Sequence, residues 1–319
     1  MYRWVDIREY DNNQAHRTTQ QMISRAKLNR WTHSETANQE EARDTNRELR
    51  DDLEEGGLQG VSEGLEFATL LQGSYRNTTM VYNSGDVDIL VIRTDTFHAD
   101  FSHVPDHAAN HAPDRNPQQM FEEHAEGVYR TLQAQYGTRN VERGEKAIEV
   151  DSDELPLGAD VVPCLQYRRF WSRQPGNHMK GIVFWTPDGT KIINFPRRHR
   201  IMGTRYNEYT NGNYKPTIRI FKNFRNTLAE NGAIEKENAA SYFVECLLSN
   251  VETATIAKDD IRDRVEGILD ELEADAAEEF PDYTVQHGMQ PLFGDETTQW
   301  DVEHARAFVT EARRFYEED

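Results

Sequence analysis

Residues 84–92 read Ser-Gly-Asp-Val-Asp-Ile-Leu-Val-Ile, and this stretch decides the fold. Its apolar residues first alternate with polar ones and then run on continuously, which predicts a β-strand whose far half is covered on both faces. Asp86 and Asp88 are two residues apart, so their side chains project from the same face of that strand. Two carboxylates on one face repel each other unless a cation lies between them. The stretch therefore predicts a strand with a metal-binding edge.

A third carboxylate, Asp160, lies within the apolar stretch Ala-Asp-Val-Val-Pro at residues 159–163. An ionised side chain is costly to bury in such a strand unless it has a partner. Oxygen ligands of this kind suit Mg²⁺, with Mn²⁺ as the alternative ion. Two such ions, about 3.5–4 Å apart, can activate an attacking hydroxyl and stabilise a leaving pyrophosphate. We therefore expect Asp86, Asp88 and Asp160 to be the catalytic residues and to bind two metal ions.

Gly73 and Ser74 precede the first aspartate by about a dozen residues. A glycine allows the backbone to turn tightly, and the amides and hydroxyl that follow can cradle phosphate oxygens. An isolated Asp-x-Asp pair is weak evidence in a chain with 56 acidic residues. The pair becomes a much stronger signal when it is joined to an upstream Gly-Ser and a later aspartate inside an apolar strand.

The rest of the chain predicts an α+β protein with two lobes. A polar N-terminal helix capped by Ser34 should bury one stripe, formed by Ala42, Leu49 and Leu53, across the core. Further helices and strands are expected at residues 119–136 (helix), 146–150 and 159–165 (strands), 181–194 (hairpin), and 217–230, 238–251, 256–274 and 300–316 (helices). The order is a mixed α/β half followed by a helical half. We place the boundary near residue 205, which divides the chain into lobes 1–205 and 206–319.

Residues 94–118 are polar and contain four histidines, His98, His103, His107 and His111. A metal site is one interpretation of these histidines. Their spacing matches no established ligand pattern, however, and the segment is more typical of a loop.

The bulk composition indicates a folded protein that avoids polyanions. Of the 319 residues 37% are hydrophobic and 10% aromatic, and the formal net charge is −20. A chain this acidic repels nucleic acid polymers and anionic membranes unless it carries a local basic patch or metal ions. No apolar run approaches the roughly 20 residues that span a bilayer. The first residues carry charges of both signs without an apolar signal core. We therefore expect a cytoplasmic location, no membrane contact, and no nucleic acid partner.

Three motifs together resemble the polymerase-β nucleotidyltransferase superfamily, namely Leu-Gln-Gly-Ser-Tyr-Arg-Asn-Thr-Thr (71–79), Ser-Gly-Asp-Val-Asp-Ile-Leu-Val (84–91) and Ala-Asp-Val-Val-Pro (159–163). More narrowly, they resemble the cGAS/DncV-like nucleotidyltransferases of bacterial and archaeal antiphage (CBASS) systems. Residues 193–199, 215–223 and 241–247 and the helix near Trp300 also fit that family. The resemblance covers roughly residues 60–315.

The resemblance implies a catalytic lobe with a long N-terminal helix, a helical C-terminal lobe, and an active site in the cleft between them. It implies that Asp86, Asp88 and Asp160 hold two Mg²⁺ ions and that Ser74, beside Gly73, contacts the phosphates of ATP or another nucleoside triphosphate. Lys222 corresponds to a lysine that binds the triphosphate tail, although a snorkelling surface lysine is the alternative. Ser241 corresponds to a phosphate-contacting serine. Tyr242 corresponds to an aromatic that stacks on the base, with a core aromatic as the alternative.

Two basic stretches, residues 167–173 and 196–200, interrupt the acidic sequence. They favour a positive rim that attracts nucleoside triphosphates. Binding of a single-stranded polymer and ordinary ion pairing with the many carboxylates are the alternatives.

The resemblance implies the synthesis of a cyclic di- or trinucleotide second messenger, with release of pyrophosphate, that a downstream effector detects in antiphage defence. A second hypothesis keeps the metal chemistry but makes the acceptor an RNA end or a protein hydroxyl. A third is a catalytically silent sensor of the same fold. The intact set of three aspartates weighs against the third.

Overall fold

Seven strands form one mixed β-sheet in the part of the chain that the computed structural model describes. That part comprises residues 23–33, 37–81, 86–105, 115–172, 174, 176–278, 280, 282–296 and 298–318. The predicted helix cap at Ser34 and the histidines His107 and His111 lie outside these ranges.

Helices precede, interrupt and follow the strands, so the predicted α+β class is confirmed. The elements are α1 Arg25–Trp31, α2 Ala37–Gly56, β1 Phe67–Leu71, α3 Gly73–Asn77, β2 Val87–Asp100, α4 Pro117–Tyr136, β3 Val141–Arg143, β4 Ile148–Val150, β5 Ala159–Phe170, β6 His178–Trp185, β7 Lys191–Asn194, α5 Pro196–Tyr209, α6 Tyr214–Glu230, a 3₁₀ turn Lys236–Ala239, α7 Ser241–Leu248, α8 Thr253–Ile256, α9 Ile261–Ala277 and α10 Val302–Glu318. None of the helices in the described ranges is both long and apolar enough to cross a bilayer.

Strand β2 lies between β1, to which it is antiparallel, and β5, to which it is parallel. Strand β5 changes partner along its length: residues 159–161 pair with β4, and residues 165–170 pair with β6. Pro163 lies between these two segments and has no N–H to donate to a neighbouring strand. The change of partner therefore falls where the ladder would in any case lack a hydrogen bond.

The apolar stripe of α2 is buried against this sheet, as predicted. Ala42, Leu49 and Leu53 are all fully buried. They share a core with Val128 and Leu132 of α4 and with the aliphatic residues of β2 and β5. The long polar helix is therefore held by one narrow stripe while its other faces remain in solvent.

The helices after residue 213 form a second core, to which α6, α7, α9 and α10 all contribute. Helix α1 belongs to this core as well, because Leu28 is fully buried in it. The backbone N–H of Ile23 donates to the carbonyl oxygen of Tyr316 at 3.0 Å. The first described helix therefore packs with the C-terminal helices and not with the sheet.

The prediction of a loop from residue 94 is wrong for its first part, because β2 continues to Asp100. After a register shift between Arg93 and Phe97, β2 pairs again with the second half of β5. Asp100 accepts a hydrogen bond from Arg169 Nε at 2.8 Å. Cross-strand pairs of this kind stabilise a polar strand without an apolar face.

Two helical predictions also needed correction. Helix α5 was missed because Pro196–Tyr209 is rich in arginine and shows no broad apolar stripe, and only His199 and Gly203 are buried in it. The helix expected over residues 256–274 begins later, at Ile261, because Ile256 ends the short helix α8 and α9 begins after the Asp260 cap. The Asp260 side chain accepts from the backbone N–H groups of Arg262 and Asp263. This cap starts a new helix.

Phe243→Ala tests the helical core. The Phe243 side chain is fully buried, and its ring centroid is 5.1 Å from that of Trp300. We expect the substitution to lower the free energy of unfolding by about 3–5 kcal/mol, because it leaves a cavity. Tyr209→Ala is the control: its side chain is 68% exposed, and we expect a change within about 0.5 kcal/mol. Urea denaturation measures both, and equal losses would contradict the assignment of the core.

Candidate active site

A cavity of about 390 Å³ opens where the ends of β2 and β5 face α5, α6 and α7. Its volume falls within the range of about 300–1,000 Å³ that is typical of small-molecule sites. All eight residues singled out in the sequence line it: Gly73, Ser74, Asp86, Asp88, Asp160, Lys222, Ser241 and Tyr242. The fold therefore brings together residues from five separate segments of the chain.

Two of the aspartates lie directly opposite each other on neighbouring strands. Asp88 of β2 is in register with Asp160 of β5, and adjacent strands are about 4.8 Å apart. Asp86 precedes β2 by one residue, and its carboxylate lies against Gly158, where an added Cβ would be 2.6 Å from Oδ1. The three carboxylates therefore lie close together where β2 and β5 begin.

Burial and mutual repulsion make these carboxylates costly to ionise. The pKa of Asp88 is raised to about 6, chiefly by burial; the Lys222 charge lowers it, and the Glu245 and Asp86 charges contribute to the rise. Burial also raises the pKa of Asp160 to about 6, with added contributions from Asp88 and Asp86. A bound cation would favour the ionised forms.

The donor set suits a divalent cation whose coordination is completed by substrate. Among the residues that the structure describes, no three His, Cys, Asp or Glu side chains converge closely enough to form a metal site on their own. Mg²⁺ is usually held by only one or two carboxylates together with waters and substrate phosphates, so a preformed protein cage is not required. The facing carboxylates of Asp88 and Asp160 provide such ligands.

Gly73 allows the backbone to approach Asp88 closely. It begins α3 with a φ of +68°, a conformation that favours glycine. A Cβ on Gly73 would lie 1.8 Å from Asp88 Oδ2. The adjacent N–H of Gln72 donates to the Asp88 carbonyl oxygen at 2.8 Å. The Gly-Ser turn is therefore packed directly onto the carboxylate, and Ser74 lines the cavity beside it.

Lys222 is not a snorkelling surface lysine, because its side chain is 2% exposed. Its Nζ donates to Glu245 Oε1 at 2.6 Å and to Thr79 Oγ1 at 3.3 Å. Glu245 also accepts from His199 Nε2 at 2.9 Å and from Asn77 Nδ2 at 3.3 Å. Burial alone would raise the pKa of Glu245, but the Lys222 charge and the His199 hydrogen bond hold it well below its usual value.

This buried cluster around Glu245 was missed in the sequence. A signal was present, because Glu245 is the only charged residue within α7. A lone carboxylate in an apolar helix is costly to bury unless it has a cationic partner. Sequence alone did not show that Lys222, a residue chosen for another reason, is that partner.

Ser241 and Tyr242 begin α7 at the rim of the cavity. Ser241 Oγ accepts a hydrogen bond from Arg225 at 2.7 Å. The Tyr242 ring stacks on the His199 ring at a centroid distance of 5.0 Å. Its hydroxyl donates to Asn194 Oδ1 at 3.4 Å. Tyr242 is thus held by one ring face and by its hydroxyl while it still lines the cavity.

The two basic stretches behave differently. In the first, Arg169 pairs with Asp100, and the Arg168 guanidinium lies 3.8 Å from the centroid of the Phe97 ring. In the second, Arg197 lines the cavity, and Arg200 lines a groove beside it. Ion pairing therefore accounts for Arg169, whereas the second stretch supplies positive charge to the site.

Comparison with known proteins identifies related chains. A family model described as the C-terminal helical domain of cGAS/DncV-like nucleotidyltransferases matches residues 201–317. The cyclic nucleotide synthase CdnE01 of Staphylococcus haemolyticus is 37% identical over 260 residues, covering 78% of this chain and 84% of that protein. The cyclic UMP-AMP synthase of Rhodothermus marinus is 33% identical over 243 residues, covering 75% and 81% respectively.

Solved structures agree over nearly the whole length. The Rhodothermus marinus CdnE c-UMP-AMP synthase with Apcpp and Upnpp superimposes with a TM-score of 0.78 at 30% identity, covering 92% of this chain and 96% of that chain. The Elizabethkingia meningoseptica CdnE cyclic dinucleotide synthase with GTP and Apcpp gives a TM-score of 0.74 at 25% identity, covering 92% and 98%.

A double-mutant cycle tests the buried ion pair. Glu245→Gln leaves the Lys222 ammonium buried without its charged partner, and we expect it to lower the free energy of unfolding by about 3–5 kcal/mol. Lys222→Met should also destabilise the protein. We expect the double variant to lose at least about 1 kcal/mol less than the sum of the two single losses, because neither charge is left alone. Strictly additive losses in chemical denaturation would show that the two side chains are not coupled.

Proposed function

We propose that this chain, which belongs to the cGAS/DncV-like nucleotidyltransferase family and is therefore a nucleotidyltransferase, joins nucleoside triphosphates into a cyclic oligonucleotide and releases pyrophosphate. The observation that carries the proposal is the register of β2 with β5, which sets Asp88 opposite Asp160 in a cavity that Asp86 also lines. The relatives whose names state an activity are synthases of cyclic nucleotides. A cyclic dinucleotide, formed from ATP and other triphosphates, is the product we favour.

Asp86, Asp88 and Asp160 would hold two Mg²⁺ ions, with Mn²⁺ as a substitute. When bound, the ions would make the acceptor hydroxyl more acidic and neutralise charge on the departing pyrophosphate. In each transfer, the hydroxyl oxygen of the acceptor forms a bond to the α-phosphorus of the donor. The bond from that phosphorus to pyrophosphate breaks, and the hydroxyl proton is lost. A second transfer within the linear product closes the ring.

The other lining residues would position the donor. Ser74 offers a hydroxyl to its phosphates beside the Gly73 turn. Lys222 supplies a positive charge at the inner wall, where Glu245 restricts its movement to one position. Ser241 would contact the triphosphate, and Tyr242 would stack on a base with the ring face that His199 leaves uncovered. Each role rests on the presence of the residue in the cavity and on the family resemblance.

We further propose the division into lobes near residue 205. The sheet cores draw mainly on residues before that point, and the helical core draws on later ones together with α1. The enzyme would act in the cytoplasm, where nucleoside triphosphates are made. Its product would act on a downstream effector in antiphage defence, the role that the family resemblance suggests.

Product analysis tests the activity directly. The protein is incubated with all four nucleoside triphosphates and Mg²⁺, the mixture is treated with phosphatase and nuclease, and resistant material is examined by chromatography and mass spectrometry. We expect a small product with the mass of a nucleotide ring without terminal phosphates. If radiolabel from ATP instead appeared in added RNA or protein, transfer to a macromolecule would be supported. The absence of pyrophosphate release would indicate a catalytically silent fold.

Asp88→Asn tests the carboxylate assignment. The variant keeps the shape of the side chain but removes the charge that would hold the metal ions, so we expect pyrophosphate release to fall about a thousandfold or more. Asp153→Asn, at an exposed position outside the cavity, is the control and should retain activity. Circular dichroism and thermal unfolding confirm that both variants are folded. Wild-type turnover by Asp88→Asn would refute the assignment.

Gly73→Ala tests the close approach of the turn to Asp88. The added methyl group cannot fit beside Asp88 Oδ2, so the carboxylate must move and we expect a large loss of activity. Gly57→Ala is a matched control, because Gly57 has a φ of +58° and nothing within 4 Å of its would-be Cβ. Both variants should lose about 1–2 kcal/mol of stability from backbone strain. An equal effect of the two on activity would show that strain alone matters.

A further inference from the structure

A groove of about 550 Å³ adjoins the active-site cavity. Seven residues line it, and four of them are arginines: Arg76, Arg197, Arg200 and Arg205. Arg76 and Arg197 also line the cavity, so the two spaces share a wall. The last three arginines lie on α5, where Arg200 follows Arg197 by three residues and Arg205 follows it by eight, so both flank Arg197 around the helix.

These arginines have no carboxylate partner in the part of the chain that the structure describes, although Arg76 Nη1 donates to the carbonyl oxygen of Leu71 at 2.9 Å. Within the described ranges, none of the four forms an ion pair with a carboxylate, whereas Arg93, Arg169 and Arg313 each do. The only acidic residue lining the groove is Glu208. Burial lowers the pKa of Arg76, and the Arg200 and Arg197 charges lower it further. In a chain with 56 acidic and 36 basic residues, four clustered arginines without ion pairs indicate a site for an external anion.

The reaction requires such an anion site. Two nucleotides must be present when the first bond forms, and the cavity of about 390 Å³ is near the lower limit for one ligand of that size. Only the donor loses pyrophosphate in this step, so the acceptor keeps all three of its phosphates. Those phosphates carry several negative charges and must lie somewhere within reach of the cavity. The groove has the position, the charge and the volume that they require.

We infer that the arginine groove binds the triphosphate of the acceptor nucleotide while the first phosphodiester bond forms, an inference that rests on the proposed function. Arginine suits this ligand because its planar guanidinium donates two parallel hydrogen bonds to phosphate oxygens. Arg76 and Arg197 lie at the junction with the cavity, and Arg200 and Arg205 lie further out. The triphosphate therefore extends outward along α5, while the acceptor sugar faces the aspartates.

The test uses nucleotide analogues that can serve only as donor or only as acceptor. A 2′,3′-dideoxynucleoside triphosphate has no hydroxyl to attack with, so it serves only as donor. An α,β-methylene nucleoside triphosphate cannot release pyrophosphate by this route, so it serves only as acceptor, and the matching nucleoside monophosphate is an acceptor without the two outer phosphates. The measured quantity is the ratio of kcat/KM for these two acceptors, followed as labelled linear dinucleotide.

We expect the wild-type protein to prefer the triphosphate acceptor, and we expect this preference to fall about tenfold or more in Arg200→Ala/Arg205→Ala. Arg47→Ala/Arg139→Ala removes the same charge at exposed positions outside both spaces and should keep the preference. An unchanged preference in the groove variant, or an equal fall in the control, would overturn the inference. The second result would mean that overall charge attracts the nucleotides.

Calorimetry measures nucleotide binding to the groove without any need for turnover. The wild-type protein with Mg²⁺ should bind two molecules of the α,β-methylene triphosphate per chain, and Arg200→Ala/Arg205→Ala should lose the weaker one. A single wild-type binding event would overturn the inference. Two binding events in calorimetry, together with no dinucleotide in the turnover assay, would instead refute the proposed function and leave the groove assignment intact. Displacement of the weaker nucleotide by an oligonucleotide without a 5′-triphosphate would assign the groove to a polymer and overturn the inference.

Discussion

The parallel pairing of β2 with β5 is the constraint on which the site depends. It holds Asp88 and Asp160 side by side at the wall of a cavity, and both carboxylates are harder to ionise there than in water. Moving one strand by a single residue would turn its aspartate to the opposite face of the sheet. The aliphatic residues on both strands oppose such a shift, because Val87, Ile89, Val91 and Val161 are packed in one core on the face opposite the aspartates. Packing of the core therefore stabilises a charged edge that is unfavourable by itself.

A second buried arrangement connects the sheet half to the helical half. Glu245 of α7 joins Lys222 of α6, His199 of α5, Asn77 at the end of α3, and Thr79 in the turn that follows. These partners come from different segments of the chain, and the turn directly follows the Gly-Ser motif. The cluster thus links the segment after the Gly-Ser turn to the helices opposite it. A buried ion pair contributes little to stability, but it specifies one geometry when every partner is satisfied.

Sequence patterns predicted the parts of the protein in which local chemistry and tertiary structure agree. The strand after Asp86, the stripe of α2 and the hairpin near residue 187 each show a periodicity of apolar residues or a set of turn residues that agrees with the observed packing. Five of the eight site residues could be chosen because the aspartates and the Gly-Ser turn have chemical reasons for their spacing, whereas Lys222, Ser241 and Tyr242 followed from the family resemblance. The same reasoning failed where long-range contacts dominate. The second half of β2 is polar and is stabilised by Arg169 on another strand, and α5 has its few buried residues covered by distant segments. The partner of Lys222 was missed because 23 residues separate it from Glu245.

The packing of α1 with the last helices affects how the protein is made. The first described helix lies in the helical core, the sheet half follows it along the chain, and α6 to α10 then complete that core. Because the N-terminal part of a chain leaves the ribosome first, the sheet half can fold while the helices that α1 needs have not yet been synthesised. Leu28 must remain without its partners until α6 and α9 have been synthesised, and Ile23 cannot donate to the carbonyl oxygen of Tyr316 until α10 has been made. A nascent chain would therefore complete its carboxylate-bearing strands first and close the cleft only after the helices of the second core have been made.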